Sequence, residues 1–241
     1  MKSPRTAMVL AAGLGTRMAP LTLTTPKPLI KVAGKPLLDW GLDALRAADV
    51  ERAIVNVHYL ADQIEQHVAG YRLPSIIVSD ERAELLDSAG GIVNALDQIG
   101  NEPFYVINAD TFWIDRARSN LVLLAEGWDD DRMDILLMVA NKNQATGYDG
   151  RGDFHMDKQG RLSRLRGGET SPYIYAGAAI IHPRIFAGAA PGKASLNLYF
   201  DAAIAADRLY GLQMDGLWLT VGTPAAIGEA EAAIAAHKVH G

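Results

Sequence analysis

Short apolar runs recur through the first half of the chain, at residues 7–12, 53–57, 75–78 and 104–108. Each is nearly continuous rather than alternating, the pattern of a parallel strand covered on both faces. Between them, residues 37–48 (LLDWGLDALRAA), 61–68 and 91–99 repeat their apolar positions at helical spacing. Strands alternating with helices in this order build right-handed βαβ units and a doubly wound sheet. The second half changes style. Residues 135–140 and 173–181 are further strands, and residues 150–165 read as a hairpin turning at Lys158, Gln159 and Gly160. Residues 196–209 read as a helix, 217–221 as a strand and 224–237 as a closing helix. The pattern predicts an α/β fold, a doubly wound mixed and mostly parallel sheet with flanking helices, in a single domain over residues 1–241.

Composition narrows the partners. At 49% hydrophobic and 21% charged residues the chain is globular, not disordered. A net charge of −5 argues against nucleic acid and anionic membranes, both of which demand clustered positive charge. A small phosphorylated ligand needs only a few local cations and stays open. With no cysteine, thiolate metal sites, disulfides and cysteine nucleophiles are excluded. The apolar stretch near the N-terminus is too short for a signal peptide or a membrane span, so a cytoplasmic protein is expected.

The loop after the first strand draws the chemistry. In open α/β sheets ligands bind beyond the carboxyl ends of the strands. Here the first strand runs into Leu10, Ala12, Gly13, Gly15, Thr16 and Arg17. Glycines allow close backbone approach, backbone N–H groups cradle phosphate oxygens, and an arginine offers a planar fork of donors. A dinucleotide fingerprint would need a third glycine where Met18 stands, and an acidic residue where the next strand ends in Val57 and His58. A P-loop would need Gly-Lys-Ser/Thr, and Gly15 is followed by Thr16 and Arg17.

The longer pattern is more specific. Residues 10–20 (LAAGLGTRMAP), 25–29 (TPKPL) and 34–37 (GKPL) closely resemble the signature of the sugar-1-phosphate nucleotidyltransferases. The resemblance continues through Gly90 and Gly91, Asn108-Ala109-Asp110, and residues 218–223 (WLTVGT). It implies a nucleotide-binding half over about 1–115 and a sugar-binding half over about 116–241, without the C-terminal β-helix of many relatives. The implied substrates are a nucleoside triphosphate and a sugar 1-phosphate, with Mg²⁺ as cofactor and a monomer or weak homo-oligomer as the working form. By resemblance Arg17, Lys27 and Asp110 are catalytic. The nucleotide would meet Leu10, Ala12, Gly13, Gly15, Thr16, Arg17, Asp87, Gly90 and Gly91, and the sugar Asn108, Asp153 and Gly177. Asp153 has a second reading, as a hairpin residue in solvent. Asp110 would hold the metal. The family usually places a second aspartate before Val-Gly-Thr, and Thr220 occupies that position. A neutral hydroxyl is a poorer magnesium ligand than a carboxylate. Thr220 would hold a metal-bound water, or the site would rely on Asp110 and the phosphates.

The segments at 56–60 (NVHYL), 88–92 (SAGGI) and 150–154 (GRGDF) most resemble the N-acetylmuramate α-1-phosphate uridylyltransferases, a branch of that family. A mannose-1-phosphate guanylyltransferase is the alternative within the class. A catalytically weak nucleotide-sugar-binding regulatory protein is the alternative outside it.

Overall fold

The computed structural model describes residues 3–240. In chain order the elements of the first half are β1 (Thr6–Leu10), β2 (Lys31–Val32), β3 (Lys35–Pro36), α1 (Leu37–Ala47), β4 (Arg52–Val57), α2 (Ala61–Val68), β5 (Ser75–Asp80), α3 (Asp87–Asn94), α4 (Leu96–Ile99), β6 (Phe104–Asn108) and β7 (Thr111–Asp115). The second half holds α5 (Asn120–Gly127), β8 (Ile135–Asn141), β9 (Ala145–Thr146), β10 (Phe154–Met156), β11 (Leu162–Arg164), β12 (Tyr173–Ile181), α6 (Leu196–Ala205), β13 (Leu209–Gln213), β14 (Gly216–Thr220) and α7 (Pro224–His240).

The main sheet runs β11-β10-β12-β6-β1-β4-β5, with β8 beside β12 and β13 beside β8. β6, β1, β4 and β5 are mutually parallel. β12 then joins β6 antiparallel, so the sheet is mixed. Its parallel strands are buried on both faces, as their continuous apolar runs predict. In β1, Ala7 and Val9 pack with Leu38, Leu42 and Ile64 of α1 and α2, while Met8 packs with Ala89 and Ile92 of α3. Successive side chains enter opposite layers because the strand period is two. A third cluster joins α7 to β14 and β7 through Ala230, Ile234, Leu219 and Phe112.

Two elements depart from the sequence expectation by more than a shift at their ends. The helix expected over 196–209 ends at Ala205, and Asp207 adopts a left-handed φ of 56° that turns the chain. Leu209 then opens β13, parallel to β8. The helix expected over 91–99 begins earlier and divides into α3 and α4. α5 and β7 carried no sequence expectation. α5 is capped by Ser119, whose side chain accepts from the Val122 N–H.

Strand order locates the cleft. From β1 the chain moves outward to β4 and β5, then returns to place β6 on the other side of β1. The direction of winding reverses between β1 and β6, where an open sheet leaves a crevice at its carboxyl edge. Leu10 and Asn108, the last residues of these two strands, lie side by side there.

Candidate active site

Two adjoining cavities open at this crevice and share Ser88 and Asn108. The first, of about 320 Å³, is lined by Leu10, Ala12, Gly13 and Asp110 together with Asn56, Glu81, Asp87 and Lys193. The second, of about 300 Å³, is lined by Asp153, Tyr175, Arg164, Asn197 and Phe200. The two cavities together suit a ligand in two parts.

At the mouth of the first cavity, Lys27 Nζ donates to Asp110 Oδ2 at 2.8 Å. The Lys27 side chain is only 11% exposed, whereas Asp110 is 42% exposed. Lys27 is held from beneath by the glycine loop. Gly15 has a φ of +63°, and a β-carbon there would meet Lys27 Cβ and Thr22 Cγ2, each at 2.9 Å. Gly15 therefore serves the close approach of the loop to Lys27. Thr16–Met18 forms a single 3₁₀ turn, and neither Gly15, Thr16 nor Arg17 lines the cavity wall. The Arg17 guanidinium lies against Gly222, where a β-carbon would stand 3.5 Å from Nη1. The first glycine loop and the end of β14 thus meet, although more than two hundred residues separate them. The Val221 N–H donates to the Asp110 carbonyl at 3.3 Å, and Thr220 pairs with Thr111 across β14 and β7. Thr220 is thereby held beside the Asp110 backbone. Asp215, at the other end of that strand, faces Arg116 at 3.6 Å.

Along the cavity wall runs a buried polar chain. The Ala11 N–H donates to Asn56 Oδ1 at 2.7 Å, and Asn56 Nδ2 donates to Glu81 Oε1 at 2.7 Å. Glu81 Oε2 accepts from the Leu86 N–H at 3.1 Å. Burial raises the Glu81 carboxyl above its usual value, opposed by the hydrogen bonds from Asn56 and Leu86. The two glycines of α3 explain their own presence. A β-carbon on Gly91 would lie 2.6 Å from Glu81 Oε1, and one on Gly90 would lie 2.3 Å from the Gly192 carbonyl. Both are buried and neither lines the cavity, although the family resemblance implies a contact of this segment with the nucleotide. They bring α3 close to the Asn56–Glu81 chain and to residues 192–194, because any side chain would hold these apart.

In the second cavity Asp153 Oδ2 accepts from the Tyr175 N–H at 2.8 Å. Burial raises its carboxyl, against the lowering effects of that hydrogen bond and of Arg164. Tyr175 Oη is buried and without a hydrogen-bond partner among the described residues. Gly177 does not line the cavity. Its φ of +79° falls within an irregular stretch of β12, and a β-carbon there would lie 2.1 Å from Thr111 Oγ1 and 3.3 Å from Asn108 Cβ. A glycine is needed at this position because β12 crosses Thr111 and Asn108 closely.

Sequence reading missed Asn56, Glu81, Lys193, Arg164 and Asn197 as wall residues. The one local signal was the position of Asn56 and Glu81 at or just beyond strand carboxyl ends. Lys193 reaches the site because the Ala194 carbonyl accepts the N–H groups of Ala89 and Gly90 at 2.9 and 3.0 Å.

Residues 7–198 match the MobA-like NTP transferase domain. The chain is 42% identical, over 97% of its length and 98% of the relative's, to an N-acetylmuramate alpha-1-phosphate uridylyltransferase of Caulobacter vibrioides. It is 35% identical to the protein of the same name from Neisseria meningitidis, covering 96% of this chain and 99% of that one. Among solved structures, a UDP-glucose pyrophosphorylase complexed with UDP-glucose superposes with a TM-score of 0.76 at 19% identity, covering 97% of this chain and 99% of that chain, a likeness of fold.

Proposed function

The chain belongs to the MobA-like NTP transferase family and is a sugar-1-phosphate nucleotidyltransferase, and we propose that it joins UTP to N-acetylmuramic acid 1-phosphate, releasing pyrophosphate and forming UDP-N-acetylmuramic acid. The Lys27–Asp110 pair carries the assignment of the reacting centre, because it places a cation and a carboxylate 2.8 Å apart beside the cavity that begins at the end of β1. The choice of substrates is supported by similarity to two uridylyltransferases along nearly the whole chain.

A phosphate oxygen of the sugar attacks the α-phosphorus of UTP. The new P–O bond forms as the bond from the α-phosphorus to the bridging oxygen breaks, and pyrophosphate leaves with the electron pair. The attacking monoester has a second pKa of about 6, so it arrives mostly as the dianion and requires no general base. The catalytic task is to align two polyanions and to neutralise charge moving onto the leaving group. Lys27 is fixed by Asp110 at the reacting end, and Arg17, held on the glycine loop against Gly222, adds a second positive charge for the phosphates. Asn108 stands where the two cavities meet and positions the sugar phosphate between them.

Magnesium fits this donor set as a shared ligand of protein and substrate. Asp110 is half-exposed, and its Oδ1 has no protein partner among the described residues. Among those residues no group of three His, Cys, Asp or Glu side chains converges. Magnesium commonly takes one or two carboxylates and completes its shell with phosphate oxygens and water. Asp110 would hold the ion with Thr220 alongside, and the bound ion would supply neutralisation of phosphate charge.

The test is pyrophosphate release with magnesium, across UTP, GTP, CTP and dTTP against the 1-phosphates of N-acetylmuramic acid, mannose and glucose. The highest kcat/KM is expected for UTP with the muramic acid substrate. A dominant rate for GTP with mannose 1-phosphate would retain the chemistry and overturn the substrates.

A further inference from the structure

The second cavity holds a cation for which nucleotidyl transfer has no use. Arg164, at the end of β11, is the only cationic side chain lining it among the described residues. Its guanidinium is fixed from several directions. Nε donates to Asp201 Oδ1 at 2.7 Å, and Nη2 donates to the Asn197 Oδ1 and carbonyl oxygens at 2.9 and 3.3 Å. Its plane rests over the Phe154 ring, 4.9 Å from the centroid. Nη1 has no hydrogen-bond or ion-pair partner among the described residues, so two N–H groups of a pre-oriented fork remain available. Asp201 is 59% exposed and engages only Nε. Solvent screens its charge, and the field of Arg164 at the cavity is only partly cancelled.

A neutral hexose offers hydroxyls, which Asp153, Asn108 and Asn197 can bind without a cation. An anionic substituent entering beside Asp153 would be repelled unless a fixed positive charge met it. We infer that Arg164 recognises the carboxylate of the lactyl ether that distinguishes N-acetylmuramic acid from N-acetylglucosamine, with Nη1 as donor. The inference rests on the substrate proposed above and adds the residue that selects it. Arg164 contributes to specificity and takes no part in bond making at phosphorus.

The experiment is a thermodynamic cycle between residue and substituent. The values of kcat/KM with UTP are measured for N-acetylmuramic acid 1-phosphate and N-acetylglucosamine 1-phosphate, in the native enzyme and in Arg164→Gln. The ratio of the two is expected to fall roughly 10- to 100-fold in the variant, mostly through KM, the effect of losing a hydrogen bond to a charged group. Arg164→Lys keeps the charge without the fork and is expected to recover part of the ratio. It also serves if the glutamine variant does not fold, with the lactyl methyl ester of the substrate as the uncharged comparison. A structural role would depress both substrates alike and leave the ratio unchanged, which overturns the inference alone. A ratio that collapses in Lys193→Gln but not in Arg164→Gln overturns it in favour of Lys193. A native enzyme active on neutral sugar phosphates and silent on the muramic acid substrate overturns the substrate reading and this inference together.

Discussion

Lys27 shows how a lysine stem can be buried while its ammonium reaches the cleft. Its stem lies against Gly15 and its ammonium meets a carboxylate that remains accessible to solvent. Lys27→Met keeps the stem and removes the charge, leaving Asp110 free to be hydrated. Turnover is expected to fall by roughly 100- to 1000-fold, the scale of losing one preorganised group that stabilises transition-state charge. Thermal melting is expected to shift little, which separates chemistry from folding. Thr220 sets a second expectation. Thr220→Asp restores a carboxylate beside the Asp110 backbone, so the magnesium concentration giving half-maximal rate should fall. An unchanged titration would mean that position 220 does not face the ion.

At the scale of elements, β12 is the one that binds the two halves of the sheet. It pairs with β6 through residues 178–181 and with β8 along most of its length, and its register shifts between Tyr175 and Ala179. Gly177 makes that irregularity possible, because a positive φ and the nearness of Thr111 both exclude a side chain. Gly177→Ala is expected to lose at least about 1–3 kcal/mol, measured by urea unfolding, since strain at such a position adds to the clash. The same element explains what could be read in advance. The apolar run of β12 was plain at residues 173–181, but its irregularity was not, because a glycine within a strand signals close approach without saying to what. β13 was hidden for a related reason. Leu209 continues the apolar pattern of α6, and only its parallel pairing with β8 draws it into the sheet.

For the whole molecule, an ion cluster ties three strand ends together. Asp134, just before β8, accepts from Arg184 Nε beyond β12 at 2.7 Å and faces Arg208 Nε before β13 at 2.9 Å. Burial opposes ionisation of Asp134, yet hydrogen bonds and charge from the two arginines outweigh it and hold its carboxyl below the usual range. A folded-state value below the unfolded one means that the unfolded chain binds more protons as acid is added. The contribution of Asp134 is therefore complete above about pH 4, and is lost as pH falls through the lowered folded value. Asp134→Asn is expected to reduce stability at pH 7 and to flatten its decline on the acid side, as read from denaturant unfolding at a series of pH values. An equally steep acid limb would place that dependence elsewhere.

The sequence by itself determined the alternation of strands and helices and the crevice after β1, and the family resemblance pointed to Lys27 and Asp110, which the fold brings together there. These follow from local rules: strand and helix periods, turn chemistry, and motifs contained within a few neighbouring residues. Tertiary structure alone decided what each glycine is for and which side chains form the walls. Gly90, Gly91 and Gly177 proved to be contacts between elements, while Arg164, Asn197 and Lys193 came to the site from segments with no motif of their own. A close approach or a cavity wall depends on residues far apart in the chain, and the spacing of residues along one segment carries no record of what another segment will bring against it.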